Sequence, residues 1–211
     1  MVTKDRDLAA MDANLFIDAA SVAMILGKGT GVSVRNGMMT INDFDLLEIA
    51  QPGQIVAATA TGGQVVEILE VVDASTLDVS VPRVSESDSK IPPSESDGVD
   101  MNLLSFAPFL AASTTWVLRE FRMDQIAEGS TQSEIVANSD SLKRLLLTHA
   151  IAEIYASAAA KSADDASLQA RATLWKTRLI DQIEQTDLGV DVDGDGRADA
   201  TRRMNVIILK R

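Results

Sequence analysis

The segment Ser141–Lys161, SLKRLLLTHAIAEIYASAAAK, decides the predicted fold because its pattern is that of one continuous helix. Apolar residues lie around most of its circumference: Leu142, Leu145, Leu146, Leu147, Ile151, Ile154, Tyr155 and Ala158. A helix that is apolar all round has to be covered on more than one side. We therefore expect this segment to lie at the centre of a helical bundle.

Amphipathic stretches on both sides of this segment predict its packing partners. A helix over about Phe106–Phe121 would follow Ser105 as its N-cap. Its apolar stripe consists of Phe106, Leu110, Ser113, Val117 and Phe121. The acidic pair Asp164-Asp165 precedes another helix, where it can interact with the positive end of the helix dipole. The stripe of that helix consists of Leu168, Ala172, Trp175, Leu179 and Ile183.

A further helix is predicted near the N-terminus, from about Asp7 to Leu26. Its stripe consists of Leu8, Met11, Leu15, Ala19, Val22 and Leu26. Gly27, Gly29 and Gly31 follow, and we expect them to end the helix as a glycine C-cap.

The pattern changes between Val32 and Val84 to short β-branched runs separated by turn residues. Predicted strands are Met38–Ile41, Gln54–Ala58, Gln64–Val72 and Thr76–Val81. The following segment, Ser85–Gly98, is rich in serine and acidic residues and offers little to bury, so we expect a mobile loop there.

These elements predict a mainly α fold: a helical bundle with a small inserted β module and a C-terminal strand or arm. The expected divisions are an N-terminal helix of the bundle (1–31), the β module (32–84), a flexible acidic loop (85–104), the helical bundle (105–187), and an acidic loop with a C-terminal arm (188–211).

Composition restricts the chemistry. The 211-residue chain contains no cysteine, which excludes disulfides, zinc-thiolate sites and cysteine nucleophiles. Its net charge of -12 argues against a conventional nucleic-acid binder. The single histidine, His149, lies within the central helix, and we interpret it as a core or interface residue. The acidic pairs Asp43/Asp45 and Glu67/Glu70 are interpreted as solvated surface.

The strongest local motif is Asp191–Asp199, DVDGDGRAD. Carboxylates at Asp191, Asp193 and Asp195 with Gly196 at the sharp turn match the first half of an EF-hand calcium loop. Position twelve, where a bidentate glutamate would close the site, is Arg202. Two interpretations stay open: structural calcium held by Asp191, Asp193, Asp195 and Asp199, or an acidic turn without metal.

The chain ends in Met204–Arg211, MNVIILKR, whose apolar β-branched residues predict a terminal strand. A strand at a chain end has few residues left to cover it, so it either pairs internally or adds to the sheet edge of another chain.

Several segments together resemble head-to-tail connector (adaptor) proteins of tailed double-stranded DNA bacteriophages and gene transfer agents. In the second half they are Phe106–Ala112, Leu145–Tyr155, Trp175–Ile183, Asp191–Asp199 and Arg202–Arg211. Residues 53–77 also look like the β insertion that some members carry.

This resemblance implies a structural subunit that is not an enzyme and has no catalytic residue. Such subunits form a homo-oligomeric, dodecameric ring in the virion neck, assembled in the host cytoplasm. The ring docks on the portal protein and links it to a stopper or tail-completion protein, while DNA passes through the lumen without sequence-specific binding. No membrane and no cofactor are expected. The predicted portal-binding residues are Met204, Val206, Ile207, Ile208 and Leu209.

Two other functions compete with the adaptor interpretation. One is a calcium-binding bacterial module that uses the Asp191–Asp199 loop. The other is a small hydrolase that depends on His149, for which the sequence shows no serine-centred nucleophile motif.

Overall fold

The computed structural model describes residues 3–58, 64–121, 135–137, 139–162, 164–190 and 200–203. The chain divides into two compact units, Lys4–Ala107 and Pro108–Arg211, the second joined by residues 1–3. The predicted mainly α bundle is wrong, because the first unit is built on a closed antiparallel β-barrel of six strands. The β module is thus a unit of its own rather than a small insertion.

The first unit contains the barrel strands and three short α-helices. The helices are α1 (Asp5–Met11), α2 (Leu15–Asp18) and α3 (Leu46–Ile49), and a 3-10 turn covers Ala20–Val22. The strands are β1 (Met24–Arg35), β2 (Met38–Thr40), β3 (Ile55–Ala58), β4 (Val65–Val71), β5 (Thr76–Ser80) and β6 (Ser96–Ser105). β2 to β5 confirm the predicted strands to within one residue at each end.

Closure of the barrel depends on two strands that the sequence did not reveal. The strand order is β1-β2-β5-β4-β3-β6, and β6 pairs with both β3 and β1. Aliphatic side chains fill the barrel interior, and they come from every strand and from α3. They include Val32, Val34, Met39, Ile41, Leu46, Val56, Val66, Ile68, Leu77, Val79, Met101 and Leu103.

The prediction of one continuous helix over Asp7–Leu26 is wrong, because only residues 5–11, 15–18 and 20–22 are helical and β1 begins at Met24. The backbone leaves the helix at Asp12, whose carboxylate accepts a hydrogen bond from the Asn14 N–H at 3.1 Å, an alternative to the helical pattern. The glycine run lies inside β1 instead of ending a helix. A Cβ at Gly29 would lie 2.8 Å from Val32 Cγ2, and Gly31 has φ +62° at a register shift between β1 and β6. The glycines therefore allow close packing and a bulge in the closing strand.

The flexible loop predicted for residues 85–104 differs from the structure over its second half. Residues 96–104 belong to β6, in which Met101 and Leu103 face the barrel core. The first half of β6 is mostly polar, and its pairing among the described residues is with β1, Ser96 opposite Val34 and Val99 opposite Val32. Because the first half is mostly polar and its partner strand is distant in sequence, local sequence patterns do not reveal β6 as a strand.

The N-terminal helices pack against the barrel strand β3. The rings of Phe16 in α2 and Phe106 at the end of β6 are 4.9 Å apart. The Phe106 N–H donates to Oδ1 of Asp5 at 2.7 Å, which fastens α1 to the end of β6. Leu8, Leu15 and Phe16 are fully buried beneath these contacts.

The second unit contains three long helices and a small sheet. The helices are α4 (Ala107–Glu120), α5 (Ser139–Lys161) and α6 (Ala166–Gln185), close to the predicted bounds. Strands β7 (Ile135–Ala137), β8 (Asp187–Val190) and β9 (Ala200–Arg203) form an antiparallel sheet in the order β7-β8-β9. Within the described ranges, no helix is long and apolar enough to cross a membrane.

The predicted helix faces in this unit are confirmed. Leu110, Ser113, Val117 and Phe121 are all at most 5% exposed, and Phe106, which belongs to the first unit, is fully buried. α5 is buried along most of its length, as its all-round apolar pattern predicts. Asp165 caps α6, where its carboxylate accepts hydrogen bonds from the N–H groups of Ser167 and Leu168 at 2.9 and 3.1 Å.

Candidate functional site

The residues predicted to bind the portal lie outside the described residues. Met204, Val206, Ile207, Ile208 and Leu209 follow β9 directly in the chain, and their own structure is not described. Their assignment to a portal contact stays a prediction.

The acidic loop 191–199, with Asp191, Asp193, Asp195 and Asp199, also falls outside the described residues. The strands β8 and β9 flank it and pair through Val190 and Ala200. An EF-hand loop joins two helices, so the flanking elements differ from that motif. Among the residues that are described, no group of three or more histidine, aspartate or glutamate side chains could hold a metal ion.

His149 is 9% exposed in the helical unit, in agreement with its interpretation as a core or interface residue. Its Nδ1 atom is 2.9 Å from Oγ of Ser113, and its ring stacks on Trp116 with centroids 4.0 Å apart. Burial lowers the pKa of His149, because the charged ring loses solvation, while the Glu153 carboxylate acts in the opposite direction. Ser113 is only 1% exposed, so this serine and histidine are packed rather than presented to a substrate. Ser113 and His149 are 36 residues apart in sequence, so no local pattern indicates their pairing.

The carboxylates of the two acidic pairs differ in burial. Asp43, Asp45 and Glu70 are exposed, as predicted. The prediction is wrong for Glu67, which is fully buried on β4. Oε1 of Glu67 accepts a hydrogen bond from Nε of Arg83, and the Arg83 side chain is itself largely buried. The partner that makes this burial tolerable is 16 residues away in sequence.

Glu67 lines a polar cavity on the barrel unit, with a volume of about 230 Å³. The cavity walls are Lys4, Arg6, Pro52, Gly53, Glu67, Ile68, Leu69, Arg83 and Glu86. These residues come from the N-terminal segment, the turn before β3, β4 and the segment after β5. We take this cavity as the candidate functional site.

Backbone contacts hold the N-terminal segment over the cavity. The Arg6 N–H donates to the Gly53 carbonyl at 3.0 Å, and the Gly53 N–H donates to the Ile68 carbonyl at 2.8 Å. Gly53 has φ +90°, and a Cβ there would lie 2.5 Å from Cδ of Lys4. The turn Gln51-Pro52-Gly53, predicted from sequence, thus needs glycine for its backbone conformation and for the approach of Lys4.

The segment after β5 closes the opposite wall. Nη1 of Arg83 donates to the backbone carbonyls of Glu86 and Asp88, at 3.2 and 2.7 Å. The exposed Glu86 carboxylate lies 3.3 Å from both Nζ of Lys4 and Nη2 of Arg6. The hydrogen bond from Lys4, together with the charge of Arg6, lowers the pKa of Glu86.

Two buried polar atoms in the cavity walls have no hydrogen-bond partner among the described residues. They are Nε of Arg6 and Oε2 of Glu67. A buried donor or acceptor left unpaired costs free energy, about 1 to 3 kcal/mol for a neutral group and more for a charged one. The residues that line the cavity therefore include one unused cationic donor and one unused carboxylate acceptor, both buried.

Comparisons with family models, curated protein sequences and solved structures found no match for this chain.

Proposed function

We propose that this chain is a structural subunit rather than an enzyme, a head-to-tail adaptor that forms a homo-oligomeric ring in the neck of a tailed phage. The ring docks on the portal protein and links it to a stopper or tail-completion protein. Sequence resemblance supports this proposal. The net charge of -12 also suits a conduit for DNA, because like charge keeps the polyanion from adhering to its wall.

The observation that carries the proposal is a strip on the outer face of α6, made of Leu174, Thr177 and Ile180, with the exposed Asp181 beside it. Leu174 and Ile180 are 48% and 51% exposed, and Thr177 lies between them at spacings of three residues. The hydroxyls of Thr173 and Thr177 donate to the carbonyls four residues earlier, at 2.9 and 3.1 Å. Because their hydroxyls already donate hydrogen bonds, burying these threonines in an interface would leave no hydroxyl donor unpaired.

The inner face of the same helix is already occupied. Leu168 and Trp175 are buried at 6% and 4% exposure on the side that packs against α5. α5 itself is covered within its own chain, so its apolar circumference does not require a neighbouring subunit. The outer strip of α6 is the better candidate for contact between copies.

The energetics of such a contact are favourable. Burying the half of each of these two side chains that is still exposed contributes roughly 1.5 to 3 kcal/mol per subunit before the costs of association are subtracted. In a closed ring every subunit makes the contact with each neighbour, so the gain is repeated around the ring.

Native mass spectrometry of the chain with the portal protein from the same genome tests the proposal. We expect a ring of this chain bound to the portal ring. A double variant, Leu174→Ser with Ile180→Ser, should assemble much less while keeping its thermal melting temperature. Val84→Ser is the matched control, because Val84 is 79% exposed but belongs to the barrel unit. A chain that never binds portal contradicts the adaptor function.

The predicted portal contact requires a separate variant. Deleting Met204–Arg211 should abolish docking on the portal while circular dichroism shows an unchanged fold. A truncated chain that still docks would place the contact elsewhere on the subunit.

A further inference from the structure

One edge of the Arg6 guanidinium group carries a hydrogen-bond donor that has no partner among the described residues. Arg6 is 7% exposed and lines the polar cavity. Its Nη2 lies 3.3 Å from the exposed Glu86 carboxylate and 3.9 Å from Oδ1 of Asp7. Its Nε has no partner within the described part of the chain. Nε and Nη2 form the side edge of a guanidinium, which can donate two parallel hydrogen bonds to one carboxylate.

The cavity walls carry more cations than carboxylates. They comprise Lys4, Arg6 and Arg83 against Glu67 and Glu86. The Asp7 carboxylate, 3.9 Å from Nη2 of Arg6, offsets this excess, so an anionic ligand would take the place of a wall carboxylate rather than add to it. Glu86 is the replaceable anion of the two, because its side chain is 64% exposed whereas Glu67 is fully buried.

A second feature restricts the ligand further. Arg83 holds Oε1 of Glu67, while Oε2 has no hydrogen-bond partner among the described residues. A buried carboxylate oxygen of this kind is completed by a hydroxyl or ammonium donor. Chloride and sulfate offer no such donor at neutral pH.

We propose that this cavity binds a small carboxylic acid that also carries a hydrogen-bond donor on the neighbouring carbon, an α-hydroxy or α-amino acid. Its carboxylate takes the Nε/Nη2 edge of Arg6 and the ammonium of Lys4 in place of Glu86. Its donor group bonds to Oε2 of Glu67. A volume of about 230 Å³ accommodates a molecule of this size. This binding site does not depend on the proposed adaptor function.

Titration of the full chain with L-lactate and with glycine, followed by NMR, tests the site. We expect dissociation constants on the order of 1 mM, with shifts at the Gly53 amide and the Leu69 methyls. Acetate has the carboxylate without the donor, and methylammonium has a donor without the carboxylate, so each should bind more weakly. Acetate binding as tightly as lactate and glycine would overturn the role of Glu67.

Three variants assign the contact. Glu86→Gln removes the competing carboxylate from an exposed position and should tighten binding by about two- to fivefold. Arg6→Gln should weaken binding by about tenfold or more, because a charged bidentate contact is lost. Arg35→Gln is the control, since Arg35 pairs with Asp97 at an exposed position on the same unit. If Arg6→Gln does not fold, the Glu86→Gln variant still tests whether the ligand binds in this cavity. Unchanged or weaker binding by that variant, or no shifts in the wild type up to about 50 mM ligand, would overturn the proposal.

Discussion

The buried carboxylate of Asp5 should make the stability of the barrel unit depend on pH. Asp5 is 5% exposed, and burial raises its pKa from 3.8 to about 6. Hydrogen bonds from the Phe106 N–H and from Ser105 act in the opposite direction without cancelling the loss of solvation. Replacing Asp5 with asparagine keeps an acceptor for the Phe106 N–H and removes the charge.

The direction in which stability changes with pH follows from the pKa of Asp5 in the unfolded and folded states. The folded state binds the proton of Asp5 more tightly than the unfolded state does. The stabilisation from this group is therefore fully present below pH 3.8 and is lost as the pH rises through about 6. The difference between 3.8 and about 6 corresponds to about 3 kcal/mol in the free energy of unfolding.

Between pH 4 and pH 8, we expect the free energy of unfolding of Asp5→Asn to increase relative to that of the wild type by up to about 3 kcal/mol. Urea unfolding measures this difference. Both tryptophans, Trp116 and Trp175, belong to the other unit, so barrel unfolding is best followed by hydrogen exchange or by NMR. Asp97→Asn, at an exposed carboxylate of the same unit, controls for general charge effects. A difference between wild type and Asp5→Asn that stays constant over this pH range would refute the reasoning.

Three further predictions concern packing and metal binding. Gly29→Ala should destabilise the barrel by about 1 to 3 kcal/mol, because its Cβ would meet the buried Val32 side chain, and an unchanged urea midpoint would contradict this. Ser113→Ala should cost the helical unit about 1 to 3 kcal/mol, since it leaves Nδ1 of His149 unpaired, and tryptophan fluorescence in a thermal melt reports it. Full stability would show that the hydrogen bond is dispensable. Calcium titration by calorimetry separates the alternatives for Asp191–Asp199, and heat that disappears in an Asp193→Asn variant would support the calcium-binding module over a metal-free turn.

The sequence determined the elements whose signals are local. The helix over residues 107–120 and its buried stripe follow from a periodicity of three and four residues within one segment. The four strands between residues 38 and 80 follow from β-branched runs bounded by turn residues. Each of these patterns is complete within a short window, so no distant partner is needed to recognise it.

Only the tertiary structure decided the barrel and the polar cavity. Strand β6 begins with Ser96-Asp97-Gly98, which resembles loop sequence until its pairing with β1 is known. Glu67 looks like a surface carboxylate beside Glu70 until Arg83 and Arg6 converge on the same cavity. A charged side chain is buried only where a distant residue compensates its charge, and one sequence window does not contain that residue. Pairing between distant segments is therefore the property of this protein that its local sequence patterns did not carry.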